Sequence, residues 1–340
     1  MTGLSQIGVA VIGVGSMGRR HAENLLRAVP DARVVAVVDA NAELAKKVVS
    51  DLGVDGCYSE VSAALERKDV DAVVIASPSR LHAPTIRAAA TAGKHILCEK
   101  PIATTLEEAD AALAAVESAG VCLQVGHMRR YDPAYADAKR RIENGEIGRP
   151  VIFKSIGRDR ELPPMSYFQA GGMLFLESSI HDFDLARWLV SDEITEVQAF
   201  AGALITPELE KYGDVDCGVV NLRFSGGAIG NVESYRHAGY GYDVRTEIVG
   251  SKGTLQVGYL EHTRETVLTA GGAAHDIVAD YLTRFADAYV LEVQDFIETV
   301  RKGREPRVTG RDGRNALAVS LAAQRSYLER RPVAITPTNT

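Results

Sequence analysis

Residues 7–18 constrain this chain more than any other stretch. Ile7-Gly8-Val9-Ala10-Val11-Ile12 is a short apolar run of strand type that leads directly into Gly13-Val14-Gly15-Ser16-Met17-Gly18. An Ala- and Leu-rich helical stretch follows. Roughly 20 residues on, a β-branched run, Val34-Val35-Ala36-Val37-Val38, ends in Asp39. A lone G-x-G-x-x-G is weak. With a strand before it, a helix after it and an acid closing the next strand, it specifies a dinucleotide-binding strand–turn–helix–strand unit.

Each part has a physical task. Gly13 permits the tight turn, Gly15 lets a pyrophosphate approach the backbone, and Gly18 lets the helix pack close to the sheet. The helix opens at Ser16 and Met17, where unpaired N–H groups and the positive end of the dipole favour phosphate. Asp39 can accept hydrogen bonds from both hydroxyls of an adenosine ribose, and its charge repels a 2′-phosphate. The pattern therefore predicts NAD rather than NADP. An S-adenosylmethionine methyltransferase can carry a similar glycine loop, but nothing else in the chain supports that reading.

The 340 residues suffice for two domains, each with its own core. A hydrophobic content of 46% and a charged content of 24% are ordinary for a globular protein. The net charge of −7, with only isolated pairs such as Arg19-Arg20 and Arg140-Arg141, excludes a nucleic-acid surface. The four cysteines, Cys57, Cys98, Cys122 and Cys217, show no C-x-x-C spacing. They read as reduced thiols of a cytoplasmic protein, with neither a disulfide framework nor a metal site. No apolar run reaches the length of a membrane span, and the first apolar run lacks the basic flank of a signal peptide. No membrane partner is expected.

Apolar runs alternate with helical stretches up to residue 125. Strands are expected at Ile7–Ile12, Arg33–Asp39, Asp71–Ala76, His95–Glu99 and Val121–Val125. Helices are expected around Met17–Val29, Ala42–Leu52, Ser59–Glu66, Leu81–Ala92 and Thr105–Ala119. Such alternation means crossover units and a parallel sheet, whose ligand binds at the carboxyl ends of its strands. Gly13, Asp39, Ser77-Pro78 and Glu99-Lys100-Pro101 all fall at such ends. From residue 126 the pattern changes. Helices are expected around Pro133–Glu143 and Ser178–Val190, and a strand near Pro150–Ile156. Successive strands with Gly-rich turns run from Glu196 to Thr269, and two helices follow near Asp280–Lys302 and Asp312–Arg330. The expected fold is an α/β Rossmann domain over 1–125 and an α+β domain over 126–340 with a mostly antiparallel open sheet.

Two groups of residues can carry chemistry. Lys100, at a strand end and held by Pro101, can donate to a hydroxyl or alkoxide; X-Pro bonds such as Lys100–Pro101 also admit the cis form. Glu177 and His181 are four apart and share a face if the segment is helical. A histidine there can accept an alcohol proton while the carboxylate orients it. Glu-x-x-x-His is not a zinc spacing, and no third ligand is evident.

Together these motifs resemble the Gfo/Idh/MocA oxidoreductases over almost the whole length, most of all the inositol 2-dehydrogenase group. The resemblance rests on the glycine loop, Ser77-Pro78-Ser79-Arg80-Leu81-His82 and Gly93-Lys94-His95-Ile96-Leu97-Cys98-Glu99-Lys100-Pro101. It continues in Met128-Arg129-Arg130-Tyr131-Asp132, Gly171-Gly172, Ile180-His181-Asp182-Phe183-Asp184 and Tyr240-Gly241-Tyr242-Asp243. It implies that Lys100 contacts the reacting hydroxyl, that His181 is the general base and that Glu177 supports it. Ser77, Pro78, His82 and Glu99 would join the glycine loop and Lys100 around NAD. Arg130, Arg158, Asp184 and Tyr242 would hold the other hydroxyls of a polyol. It also implies a homo-oligomer, a tetramer or a dimer, joined through the open face of the second sheet.

The chain departs from the family pattern twice. The acid before His181 is normally Asp, and here Glu177 follows Gly172 by one residue more than the pattern has. Near the first strand of the second domain, Gly157-Arg158-Asp159-Arg160 replaces an expected histidine. The expected activity is NAD-dependent oxidation of a secondary hydroxyl of a cyclic polyol. The alternatives are a dehydrogenase or reductase of a sugar, glucoside or keto-sugar, and a non-catalytic NAD-binding protein.

Overall fold

A computed structural model of the chain describes residues 6–336 except 170, 259 and 264. Its first element is β1 (Ile7–Ile12), followed by α1 (Ser16–Ala28), β2 (Ala32–Val38), α2 (Ala42–Leu52), β3 (Cys57–Tyr58) and α3 (Val61–Leu65). Next come β4 (Ala72–Ile75), α4 (His82–Thr91), β5 (His95–Glu99), α5 (Leu106–Ala119) and β6 (Leu123–Gly126). The six strands form one parallel sheet in the order β3-β2-β1-β4-β5-β6. β1, β2 and β4 are buried along almost every residue because helices cover both faces, hence their unbroken Val/Ile/Ala runs. β3 is a sixth strand beyond the five expected. It is two residues long at the sheet edge, too short to carry a pattern. The strand order reverses between β1 and β4, so the crevice for a ligand lies at their carboxyl ends.

The chain continues through α6 (Pro133–Glu143), β7 (Pro150–Arg158), α7 (Met165–Gln169) and α8 (Ile180–Val190). Then follow β8 (Ile194–Gly202), β9 (Cys217–Phe224), β10 (Ile229–Tyr235), β11 (Asp243–Gly250), β12 (Thr254–Val257) and a hairpin of β13 (Val267–Thr269) and β14 (Gly272–Ala274). The last elements are α9 (Tyr281–Arg284), α10 (Ala286–Lys302), α11 (Gly310–Glu329) and β15 (Val333–Ala334). The second sheet runs β12-β11-β7-β10-β9-β8-β15, antiparallel except for the β10–β7 pair. β9 alternates strictly: Val220, Leu222 and Phe224 are buried, and Val219, Asn221 and Arg223 are exposed. One face is thus packed and the other open. α8 covers the packed face: Ser155 of β7 donates to Asp182 at 2.6 Å, and the Ser179 and Ser234 hydroxyls are 2.8 Å apart.

The helix expected over Asp280–Lys302 is two helices. Phe285 leaves helical geometry at φ −114°, and its fully buried ring packs edge-on against Tyr242. Two compact units result: residues up to 131 with 287–317, and residues 132–286 with those from 318 on. In the first, Val293, Phe296 and Ile297 of α10 join Val9, Val11 and Leu97 in one apolar core. Each such side chain contributes about 1.5–3 kcal/mol on burial. Among the described residues, no helix is long and apolar enough to cross a membrane.

Candidate active site

The glycine loop has the form its sequence requires. Gly13 sits at φ +83°, and a Cβ there would lie 2.6 Å from the Ser77 nitrogen. A Cβ on Gly18 would fall 1.8 Å from the Gly13 carbonyl oxygen, so the close helix–sheet approach depends on its absence. At Gly15 a Cβ would meet nothing within 4 Å, so the backbone there faces open space. Gly15 caps α1 without a side-chain hydrogen bond, and the first turn of α1 holds no acid. Its N–H groups and dipole are thus available to an anion. The half-buried Asp39 carboxylate accepts the Val14 N–H at 2.9 Å and the Asn41 N–H at 2.8 Å. It is held rigidly beside the loop. These residues fit the pyrophosphate and adenosine ribose of NAD, which when bound accepts a hydride.

Ser77 and Pro78 follow β4, and Glu99 ends β5 with the half-buried Lys100 and Pro101 beyond it. The Lys100–Pro101 peptide is cis. His82, expected among the cofactor contacts, is 1% exposed and spends its ring on the backbone. Nδ1 lies 2.7 Å from the Pro101 carbonyl oxygen, and Nε2 lies 2.7 Å from that of Ser77. It therefore ties together the loops after β4 and β5. Behind Lys100, His21 Nε2 is 2.7 Å from Glu99 Oε1. Burial opposes the charge on Glu99. The hydrogen bond from His21 and the charges of His21, Lys100 and His82 outweigh it, holding this carboxyl below its usual range. Sequence reasoning missed His21, whose only signal is its place in the first turns of α1 facing the sheet. Arg130, expected to grip substrate, is 6% exposed and donates to Asp312 Oδ1 at 3.0 Å. Asp312 in turn accepts from the Thr309 N–H and hydroxyl.

The second unit carries the other expected residues. His181 is the second residue of α8 and is 9% exposed; Asp184, one turn on, is buried. Before α8 the backbone makes a π turn over Leu174–Ser178, where the Ser179 N–H reaches the Leu174 carbonyl at 3.0 Å. Such π turns recur at functional sites. Glu177 lies in this turn, half-buried. Burial first, then the Glu177 charge, raises the Tyr167 hydroxyl well above its usual range. Tyr242 is nearly buried, its ring edge-on to Tyr281 and Phe285. Arg158 stands apart. It is three residues beyond Ser155, which meets α8, so strand alternation puts it on the opposite face. There it donates to Glu233 at 2.7 Å and Tyr240 at 3.0 Å.

The glycine loop, Asp39, Ser77-Pro78 and Glu99-Lys100 are thus gathered at the carboxyl ends of one parallel sheet. Glu177, His181 and Asp184 lie on one helical stretch of the second unit. Residues 7–127 match the oxidoreductase family with an NAD-binding Rossmann fold, and residues 139–335 match that family's C-terminal alpha/beta domain. The chain is 43% identical to the scyllo-inositol 2-dehydrogenase (NAD(+)) of Bacillus subtilis, covering 96% of both chains. It is 38% identical to the myo-inositol 2-dehydrogenase of Thermotoga maritima, covering 96% of this chain and 97% of that one. The crystal structure of the scyllo-inositol dehydrogenase of Lactobacillus casei, with bound NAD(H) and scyllo-inositol, superposes with a TM-score of 0.92. It is 29% identical, covering 97% of this chain and 99% of that chain. The chain belongs to the Gfo/Idh/MocA family of NAD-dependent oxidoreductases.

Proposed function

We propose that this enzyme oxidises a secondary hydroxyl of an inositol-like cyclic polyol to a ketone. The observation that carries this reading is near full-length similarity to relatives named for scyllo- and myo-inositol. The carbinol carbon gives its hydride to the nicotinamide, and the hydroxyl gives its proton to His181. Lys100 donates a charge-assisted hydrogen bond to the same oxygen as negative charge develops there. Glu177 orients His181. Asp184 and Tyr242 hold further hydroxyls. Arg130, which also pairs with Asp312, holds another hydroxyl, whereas Arg158, paired with Glu233 on the face away from α8, does not.

The π turn and Glu177 lie in the substrate half, so a sugar, glucoside or keto-sugar is the second reading. A panel of inositols and sugars, run in both directions by nicotinamide absorbance, separates the two. Highest kcat/KM on an inositol is the expected result. Turnover confined to sugars would overturn it, and no turnover on either would leave a binding protein. We also propose a homo-oligomer, a tetramer or a dimer, joined through the open sheet face. Phe200 and Ile229 are exposed on that face, and light scattering tests the assembly. A cytoplasmic location accords with four free cysteines.

A further inference from the structure

His21 of α1, Glu99 of β5 and Glu292 of α10 form a buried ionisable cluster behind Lys100. One ring nitrogen and two carboxyl oxygens lie within 4.8 Å of one another. His21 and Glu292 have no exposed surface. Neither carboxyl oxygen of Glu292 has a hydrogen-bond partner, although the Gln124 amide donates to its backbone carbonyl at 3.1 Å. A carboxylate so placed must be neutralised by a cation, a basic side chain or a proton. The His21 nitrogen facing the cluster is already committed to Glu99 at 2.7 Å, and a ring nitrogen that donates has no lone pair for a metal. Among the described residues, no lysine or arginine pairs with Glu292. A proton remains.

We infer that Glu292 is a positioning residue held as a neutral carboxylic acid, so that Glu99, next to Lys100, is the one ionised carboxyl of the cluster. The groups around it are consistent with this. On α10, Tyr289 packs edge-on against His21, and Asp295 accepts from the Tyr131 hydroxyl and from Arg304. Arg307 also pairs with Asp295, so both arginines are spent there. From just beyond β5 and from α4, Lys100 and His82 act on Glu99. Burial, then the charges of Glu99 and Asp295, push the Glu292 carboxyl well above its usual range, while Glu99 is held below its own. Two neighbouring carboxyls driven in opposite directions share one charge between them. Ionisation of Glu292 would repel Glu99 and draw the Lys100 ammonium back into the protein. The link to turnover rests on the proposed role of Lys100.

Infrared spectroscopy of the full-length, unliganded protein tests the protonation. The carbonyl stretch of a buried carboxylic acid should be present at neutral pH and absent from Glu292→Gln. Stability supplies a second readout. A carboxyl raised in the folded state leaves stability intact below its unfolded value of about 4.3 and erodes it as pH rises through the folded value. The melting temperature of Glu292→Gln relative to wild type should therefore climb with pH. In turnover, the variant should lose an alkaline fall in kcat that wild type shows. Absence of the acid band, or a difference in melting temperature flat with pH, would overturn the proposal. If Glu292→Gln does not fold, Glu292→Met removes the same band and serves instead. Normal turnover by Lys100→Met would overturn the link to catalysis and the role of Lys100, leaving the infrared result to judge Glu292 itself.

Discussion

Replacing Asp39 by Asn is the sharpest test of how this enzyme chooses its cofactor. The carboxylate is fixed by two backbone N–H groups, Val14 at 2.9 Å and Asn41 at 2.8 Å, so it cannot swing away from a 2′-phosphate. A unit charge pair about 5 Å apart, at an effective dielectric constant of about 20, interacts by about 3 kcal/mol. At about 1.4 kcal/mol per tenfold, this is a preference for NAD over NADP of roughly 10²–10³ in kcat/KM. Asp39→Asn removes the charge, so the ratio should fall below about 10. The amide has one acceptor where two N–H groups need one. One backbone donor therefore loses its partner, at about 1–3 kcal/mol. In a domain of this size that lowers the melting temperature by roughly 2–12 °C. Initial rates with both cofactors on a saturating inositol, beside thermal denaturation, measure the two effects separately. Unchanged selectivity with the expected loss of stability would refute the reasoning, leaving Asp39 as a brace for the loop alone.

His181→Ala should lower kcat by about 10²–10⁴ while NADH binding, read by fluorescence, holds. Because a general base works only unprotonated, the wild-type oxidation rate should rise with pH and the variant should lose that dependence. Glu177→Gln keeps shape and removes charge; kcat/KM should fall about 10-fold, about 1.4 kcal/mol of transition-state stabilisation. A slightly lower melting temperature with intact turnover would instead make Glu177 a structural residue of the π turn. Asp214 pairs at 2.6 Å with the fully buried Arg236, whose guanidinium lies over the Phe168 ring. Asp214→Ala strands that charge and should cost about 3–5 kcal/mol of unfolding free energy, read by chemical denaturation.

The Rossmann half was legible because its signals are local. The turn at Gly13, the Asn41 cap of α2 and the acid closing β2 each depend on residues a few positions apart. The same holds for Lys100 at the end of β5 and for the spacing of Glu177, His181 and Asp184. Contacts between residues distant in the chain were not legible. Arg130, read as a ligand grip, also pairs with Asp312, far along the sequence. His82, read as a cofactor contact, also sets its two nitrogens against the Pro101 and Ser77 carbonyls.

By itself the sequence determined the alternation of strands and helices in the first half, the phosphate-binding turn, NAD as the cofactor and the residue types at each strand end. These follow from backbone sterics and hydrophobic period, which near neighbours set. Only the tertiary structure decided that α10 returns to the first unit and lays Glu292 beside Glu99 and His21. It likewise decided that residues 174–178 form a π turn, and that Arg158 faces away from α8. Such outcomes depend on which surfaces exclude water together, and that is settled by packing between segments whose separation in the chain carries no pattern.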